Sequence, residues 1–296
     1  MDQGIRNPAL HLLVHGHVWL AFGAAAQTWL LQDLMDLGGW QAPVVAALVT
    51  FAGYTAMRMA RAMDPAVQQA PIMEWTWAHR RALITAAVIA VIVVCAVALH
   101  RLFPLLRAFW PVALAVVLYA VPVRRAAGDA PGLRRAPLLK AFLIAGSWAW
   151  VTVGLPVVFK DGDAEQQGLG WLFAMQAAFF LAITLVFDLR DREHDRGKVL
   201  TWPHVLGDRL TRVLAVLLML YPATVFGLLA YIGHAMSAME GASAWPLDRV
   251  LAALGYLTAA VVVASSKAQR PALHYALVVD GLLLLVPLLY AIGRCV

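Results

Sequence analysis

The stretch Phe187-Asp188-Leu189-Arg190-Asp191-Arg192-Glu193-His194-Asp195-Arg196-Gly197-Lys198 concentrates the chemistry of this chain. Nine of the eleven residues from Asp188 to Lys198 are ionisable, and they follow directly on a long apolar run. At about 100° per residue, Asp188, Asp191 and Asp195 fall within an arc of roughly 60° if the helix continues through them, so they would form a single acidic stripe. Carboxylates one turn apart suit a hard cation such as Mg²⁺, which takes oxygen ligands and is usually held by one or two carboxylates together with substrate phosphates. The competing reading is a solvated continuation of the helix, whose acids pair with Arg190, Arg192, Arg196 and Lys198.

The elements that must position this stripe are set by composition. Of 296 residues, 62% are hydrophobic and only 14% charged, and the mean hydropathy is +0.75. A soluble chain keeps about a quarter of its residues charged, so the sequence implies an integral membrane protein. Apolar stretches near 9–31, 40–60, 82–99, 104–121, 139–159, 169–190, 211–234, 248–266 and 273–293 predict nine transmembrane helices, the third and fourth joined by a tight connection at His100 to Phe103. No ten-residue alternation supports a barrel, so the expected fold is all-α and polytopic, one transmembrane domain over residues 1–296. Most of the 23 lysines and arginines fall in the N-terminal tail and the segments after spans two, four, six and eight. Arg101, Arg107, Lys160, Arg249 and Arg294 remain for the other side. That bias predicts a cytoplasmic N-terminus and cytoplasmic active-site loops, with the C-terminus on the opposite side. The net charge of +6 therefore reports topology, not nucleic-acid binding. Cys95 and Cys295 match no zinc or redox spacing.

The acidic stripe continues into Gly197, Thr201, Pro203 and Gly207, reading D-x-x-D-x-x-x-D-x-x-x-x-x-T-x-P-x-x-x-G. Here the chain resembles the UbiA superfamily of intramembrane prenyltransferases, known for nine transmembrane helices and two Asp-rich motifs at cytoplasmic helix ends, the second after helix six. The resemblance spans essentially the whole chain. It implies nine helices around a central cavity that takes an isoprenoid diphosphate, with Asp188, Asp191 and Asp195 as catalytic ligands of Mg²⁺, directly or through water. The implied activity is Mg²⁺-dependent transfer of the prenyl group to an aromatic or other lipophilic acceptor. An intramembrane terpene cyclase, a non-catalytic member that binds an isoprenoid, quinone or pigment, and, as an outsider, a secondary transporter are the alternatives. The expected partners are the diphosphate donor, the acceptor and membrane lipids.

The family's first motif, N-D-x-x-D-x-x-x-D, belongs at the end of span two, where this chain reads Tyr54-Thr55-Ala56-Met57-Arg58-Met59-Ala60-Arg61-Ala62. Thr55, Arg58 and Ala62 stand in the places of its three acids. Arg58 and Arg61 share a helix face and, with Tyr54, could contact diphosphate directly, or could be positive-inside anchors only. Tyr119, Pro122, Arg124 and Arg125 close span four, resembling the family's Tyr and Pro followed by basic residues, thought to help hold the diphosphate. Lys140, which abuts the apolar helix that follows, and Arg192 and Lys198, which flank the stripe itself, are further candidate contacts for the diphosphate. Asp280 lies inside span nine, where a charge costs about 2.5–3.5 kcal/mol on insertion scales, so it should face a cavity or a partner. His11 and His15 share a face at i and i+4, with His17 close by. That spacing could bind a metal, but no third carboxylate or cysteine stands near, and interior hydrogen bonding is the alternative.

Overall fold

The computed structural model describes residues 8–63, 71–120, 138–160, 168–195, 200–240, 242, 244–271 and 273–296, without the side chains of 8–11, 71, 116–120, 194 and 195. Among the described residues there are helices and no strand. The order is α1 (Pro8–His15), α2 (Val18–Leu34), α3 (Gln41–Ala62), α4 (Pro71–Ala78), α5 (Arg80–Val97), α6 (Leu102–Ala120), α7 (Leu139–Phe159), α8 (Leu169–Asp195), α9 (Trp202–Met239), α10 (Leu247–Ser265) and α11 (Leu282–Cys295). A single 3₁₀ turn, Leu99–Arg101, joins α5 to α6, and a π-helical turn, His274–Val279, precedes α11.

Seven helices among the described residues are long and apolar enough to cross a membrane: α3, α5, α7, α8, α9, α10 and the continuous segment His274–Cys295. The expectation of nine goes beyond these. Segment 9–31 is divided into α1, of 8 residues, and α2, of 17. The break falls at Gly16 and His17, where His17 adopts the left-handed conformation at φ 58°, a geometry that costs a residue with a Cβ about 1–2 kcal/mol. Segment 104–121 runs as α6, whose last side chains lie outside the described set. A further element absent from the sequence reading, α4, lies in what hydropathy left as a loop; its short run Pro71 to Ala78 has a proline at the first helical position, where the missing N–H costs nothing.

The chain divides into two compact units, Met1–Ala113 with Gly154–Gly162, and Leu114–Val153 with Asp163–Val296. In the first, α3 is the hub, packing on α2, α4 and α5, while α1 packs on α2 and α4. In the second, α8 packs on α9, and α10 packs on both α9 and α11. Burial separates α8 from the rest: 72% of its apolar window is buried, against 17–33% in the other six spans. Those six turn most of their surface outward, as helices do where lipid tails are as apolar as leucine. An aromatic cluster, Phe179 of α8, Phe226 of α9 and Tyr256 of α10, forms the middle of the second unit, with ring centroids 5.4 and 5.5 Å apart.

Where α10 meets α11 the backbones approach closely because Gly255 has no side chain. A Cβ there would stand 3.2 Å from Leu289 Cδ1 and 3.3 Å from the Val286 Cα. Gly227 of α9 has nothing within 4 Å of the same position. Gly255→Val should therefore cost about 1–3 kcal/mol through overpacking, read as a drop of several degrees in the melting temperature of the detergent-solubilised protein. Gly227→Ala should leave that temperature unchanged or raise it slightly. Equal melting of the two variants would refute the close approach of α10 and α11.

Candidate functional site

In the second unit the sequence stripe is built on an unbroken helix. No proline or glycine interrupts α8 after Gly170, and the helix runs on through the charged segment to Asp195. Asp188, the first acid, is 1% exposed. Lys140, on the first turn of α7, donates a hydrogen bond from Nζ to Asp188 Oδ1 at 2.8 Å, and the lysine side chain is itself only 18% exposed. A carboxylate held this deep stays ionised only with a partner, and α7 delivers it. The start of α7 is fixed in turn: the Leu138 N–H donates to the Leu200 carbonyl at 3.3 Å, and Phe142 packs edge-on against Trp202 at 5.8 Å.

Asp191, one turn on, accepts a bidentate pair from its neighbour Arg190, Nε to Oδ1 at 2.7 Å and Nη2 to Oδ2 at 3.0 Å. The same guanidinium lies over Phe187 at 4.8 Å and over Tyr275 of the π turn at 5.4 Å. Arg192 donates from Nη1 to Asp208 Oδ1 at 2.7 Å, tying the end of α8 to the start of α9. That start is shaped by the residues that trail the acidic motif. Thr201 is the N-cap, its backbone N–H donating to His204 Nδ1 at 3.3 Å, and Pro203 occupies the first turn. Gly207 takes φ 76° inside α9, a conformation that glycine adopts at no steric cost. The break it introduces sets Asp208 in reach of Arg192.

Asp280 follows the π turn, and its N–H reaches back five residues to the Tyr275 carbonyl at 3.0 Å. Single π turns within helices are frequent at functional sites. Tyr275 donates its hydroxyl to the Lys267 carbonyl at 2.7 Å, which holds the ring against Arg190.

In the first unit the place of the missing acids is cationic. Arg58 of α3 donates from Nη1 to the His15 carbonyl at 2.9 Å, across the α1–α2 break. Tyr54, one turn earlier, sets its ring 5.5 Å from that of His17, and His15 packs on Trp75 of α4 at 5.7 Å. Thr55 is buried and its hydroxyl has no hydrogen-bond partner. It lines an apolar groove of about 340 Å³ between α3 and α5 with Ala52, Ala56, Met59, Ile84 and Val88. Arg61 is exposed near the end of α3.

The structure thus brings Asp188 together with Lys140, and Arg192 with an acid the sequence did not single out, Asp208. Asp191 pairs with Arg190 and not with a distant base. Arg124 and Lys198 lie outside the described residues, as do the side chains of Tyr119 and Asp195 and that of His11. Among the described residues no group of three or more His, Cys, Asp or Glu stands close enough to hold a metal ion. Asp188 and Asp191 nevertheless present oxygen donors of the kind Mg²⁺ takes, in the number it commonly draws from a protein when phosphates complete its shell. The pairing of the stripe's acids with arginines was one of the two sequence readings, and Arg190 on Asp191 follows it; Asp208 was missed because its role depends on the break at Gly207, which brings it to Arg192.

With this geometry in view, comparison with solved structures finds a similar one in a UbiA homolog from Aeropyrum pernix K1, determined in its apo form. The two superpose with a TM-score of 0.60 at 14% identity, over 94% of this chain and 98% of that one. No protein-family model matches the sequence, and no curated protein matches it. The chain therefore has the fold of that UbiA homolog. With its apolar helices, it is a multi-pass membrane protein.

The Lys140–Asp188 pair makes a direct prediction. Lys140→Met removes the ammonium that donates to the buried carboxylate and should destabilise by up to about 3–5 kcal/mol. Combining it with Asp188→Leu should restore much of that loss, giving a coupling energy above about 1 kcal/mol in a double-mutant cycle. Denaturant titration of the purified protein in mixed micelles checks this, and strictly additive losses would contradict the pairing.

Proposed function

We propose that this chain is a UbiA-like enzyme that transfers a prenyl group from an isoprenoid diphosphate to an aromatic or other lipophilic acceptor within the membrane. The observation that carries the reading is the paired, nearly buried Asp188 with Lys140 at the end of an apolar helix, one turn before Asp191, on a fold like that of a UbiA homolog. The expected nine helices, cytoplasmic loops and N-terminus, and opposite C-terminus belong to the same proposal.

On this reading Asp188 and Asp191 would hold Mg²⁺, with Asp195 as a third donor. When bound, the ion would supply positive charge against the leaving diphosphate. The rest falls to the chain's own residues. Lys140 is an ammonium already desolvated beside Asp188, placed to transfer a hydrogen bond from carboxylate to phosphate oxygen as the head group arrives. Arg190 orients Asp191 through its bidentate pair, and Arg192 holds the end of α8 to the start of α9. Arg124, Lys198 and Tyr119 are further phosphate contacts in this proposal, and Arg58, Arg61 and Tyr54 of the first-motif segment are candidate phosphate contacts in their own right. Asp280, an acid inside an apolar span that feels the charge of Arg190, is a polar candidate for the cavity lining in this proposal.

A second reading, a non-catalytic isoprenoid or quinone binder, is favoured by one observation: Thr55, Arg58 and Ala62 offer no carboxylate where the family's first motif has three. The decisive experiment supplies the purified protein with radiolabelled C10 to C20 prenyl diphosphates, aromatic acceptors and Mg²⁺, and follows diphosphate release. Transfer should depend on Mg²⁺ and fall at least about a hundredfold in Asp188→Asn and in Asp191→Asn, as expected when a group acting in the transition state is removed. Release indifferent to EDTA and to both substitutions would overturn the proposal. No release, with a polyprenyl lipid found in the native extract by mass spectrometry, would establish the second reading instead. Release without acceptor, giving a cyclic hydrocarbon, would mark a cyclase.

A further inference from the structure

The outward face of α9 sets two arginines at the head of an apolar stripe. Gly207 interrupts the helix with its φ of 76°, so the run that follows starts anew at Asp208 and carries Arg209 and Arg212 in its first two turns. The backbone dipole is positive at that end of a helix, where it favours an anion and disfavours a cation. Asp208 accepts from Arg192 Nη1 at its Oδ1, 2.7 Å away, and from Arg212 Nε at its carbonyl, 3.3 Å away. The Arg212 guanidinium is thus held against the helix, and Arg209 beside it is exposed.

Arg209, Arg212, Val213, Val216 and Leu217 follow one another at i, i+3, i+4, i+7 and i+8, the spacing of a single helix face. With Ala264, the last residue but one of α10, they line an open groove of about 390 Å³. All six lie in the second unit. The groove has a cationic head and an apolar floor, and Val213 and Leu217 are exposed along it. Its depth in a bilayer follows from the sequence. Residues 213–233 of α9 contain no Asp, Glu, Lys, Arg or His, and 21 helical residues span about 32 Å, close to the roughly 30 Å thickness of the hydrocarbon core. Arg209 and Arg212 therefore stand at the level of the lipid headgroups, and the three apolar residues at the level of the acyl chains.

A free phosphate would use only the head of this groove, and an uncharged lipid only its floor. We propose that the groove between α9 and α10 binds an anionic glycerophospholipid, with its phosphate on Arg209 and Arg212 and the upper part of one acyl chain against Val213, Val216, Leu217 and Ala264. Basic recesses between transmembrane helices hold anionic headgroups by the same electrostatics. Occupancy is read without Mg²⁺ or a prenyl diphosphate, so the site stands or falls separately from prenyl transfer.

The test uses the full chain, stripped of lipid in a neutral detergent with EDTA present, and counts bound molecules by native mass spectrometry. The probes are dioleoyl phosphatidylglycerol, phosphatidylcholine with the same chains, and glycerol 3-phosphate, which has the phosphate without the chains. The unsubstituted protein should bind phosphatidylglycerol saturably and each of the other two at least about tenfold more weakly. Arg209→Gln combined with Arg212→Gln should weaken phosphatidylglycerol binding by about thirtyfold, roughly fivefold from each. Ala264→Phe, which fills the groove and leaves both charges in place, should weaken it as well. Arg80→Gln combined with Arg81→Gln, at the start of α5, should leave it unchanged. Equal uptake of phosphatidylglycerol and phosphatidylcholine would reduce the groove to apolar contact, and equal uptake of glycerol 3-phosphate would make its occupant a free phosphate group. An equal loss in the α5 pair would reduce the effect to net charge. Any of these three results overturns the site, as does an affinity unchanged in a folded Arg209 and Arg212 double variant.

Discussion

A carboxylate at the end of an apolar helix must either be neutral or be met by a cation, and the ion pair between Lys140 and Asp188 is how this chain meets that condition. Much of the second unit's local order follows from it. The ammonium arrives from α7 only because the segment before that helix is bonded to the segment before α9 and because Phe142 is seated on Trp202. The end of α8 is then held from a second direction by Arg192 and Asp208. Two chain segments, the starts of α7 and α9, meet the end of α8 through two charges, each compensated by a partner on a neighbouring helix.

The apolar runs were legible because a lipid-facing helix needs only length and hydropathy, and neither depends on tertiary partners. The acidic stripe was legible for a similar reason: Asp188 and Asp191 sit on a helix that continues without a breaker, so spacing converts directly into geometry. The trailing Thr201, Pro203 and Gly207 could be read as a pattern, while their local work as cap, first-turn residue and positive-φ break emerged only with the backbone. Hydropathy could not see the division of 9–31, since Gly16 and His17 interrupt the hydrogen-bond ladder without interrupting the apolar run. Nor could it see that Arg190 turns back on Asp191 and stacks on Tyr275, a residue 85 positions away in sequence. Pairings of that kind are decided by packing, on which a single sequence is silent.

The two units also handle charge differently. At the end of α8, acids and bases alternate and neutralise one another in pairs. At the end of α3, the charged groups Arg58 and Arg61 are both basic, and the buried polar atoms near them are histidine nitrogens and a threonine hydroxyl. The two helix ends are thus chemically unlike, one an array of acid–base pairs and the other basic.

The π turn at His274–Val279 has a bearing on α11 that hydropathy does not disclose. Because the Asp280 N–H bonds five residues back, to Tyr275, the turn holds one residue more than an α-helical turn. Everything downstream is rotated by about 100° from where an uninterrupted helix would have put it. The inward set Leu282, Leu283, Val286 and Tyr290 is therefore in phase with its neighbours only because of that surplus residue. Losing a single amino acid between His274 and Val279 would leave the span ample in length and greasiness yet present the wrong stripe to α10. For this helix, angular register is a more fragile property than membrane insertion.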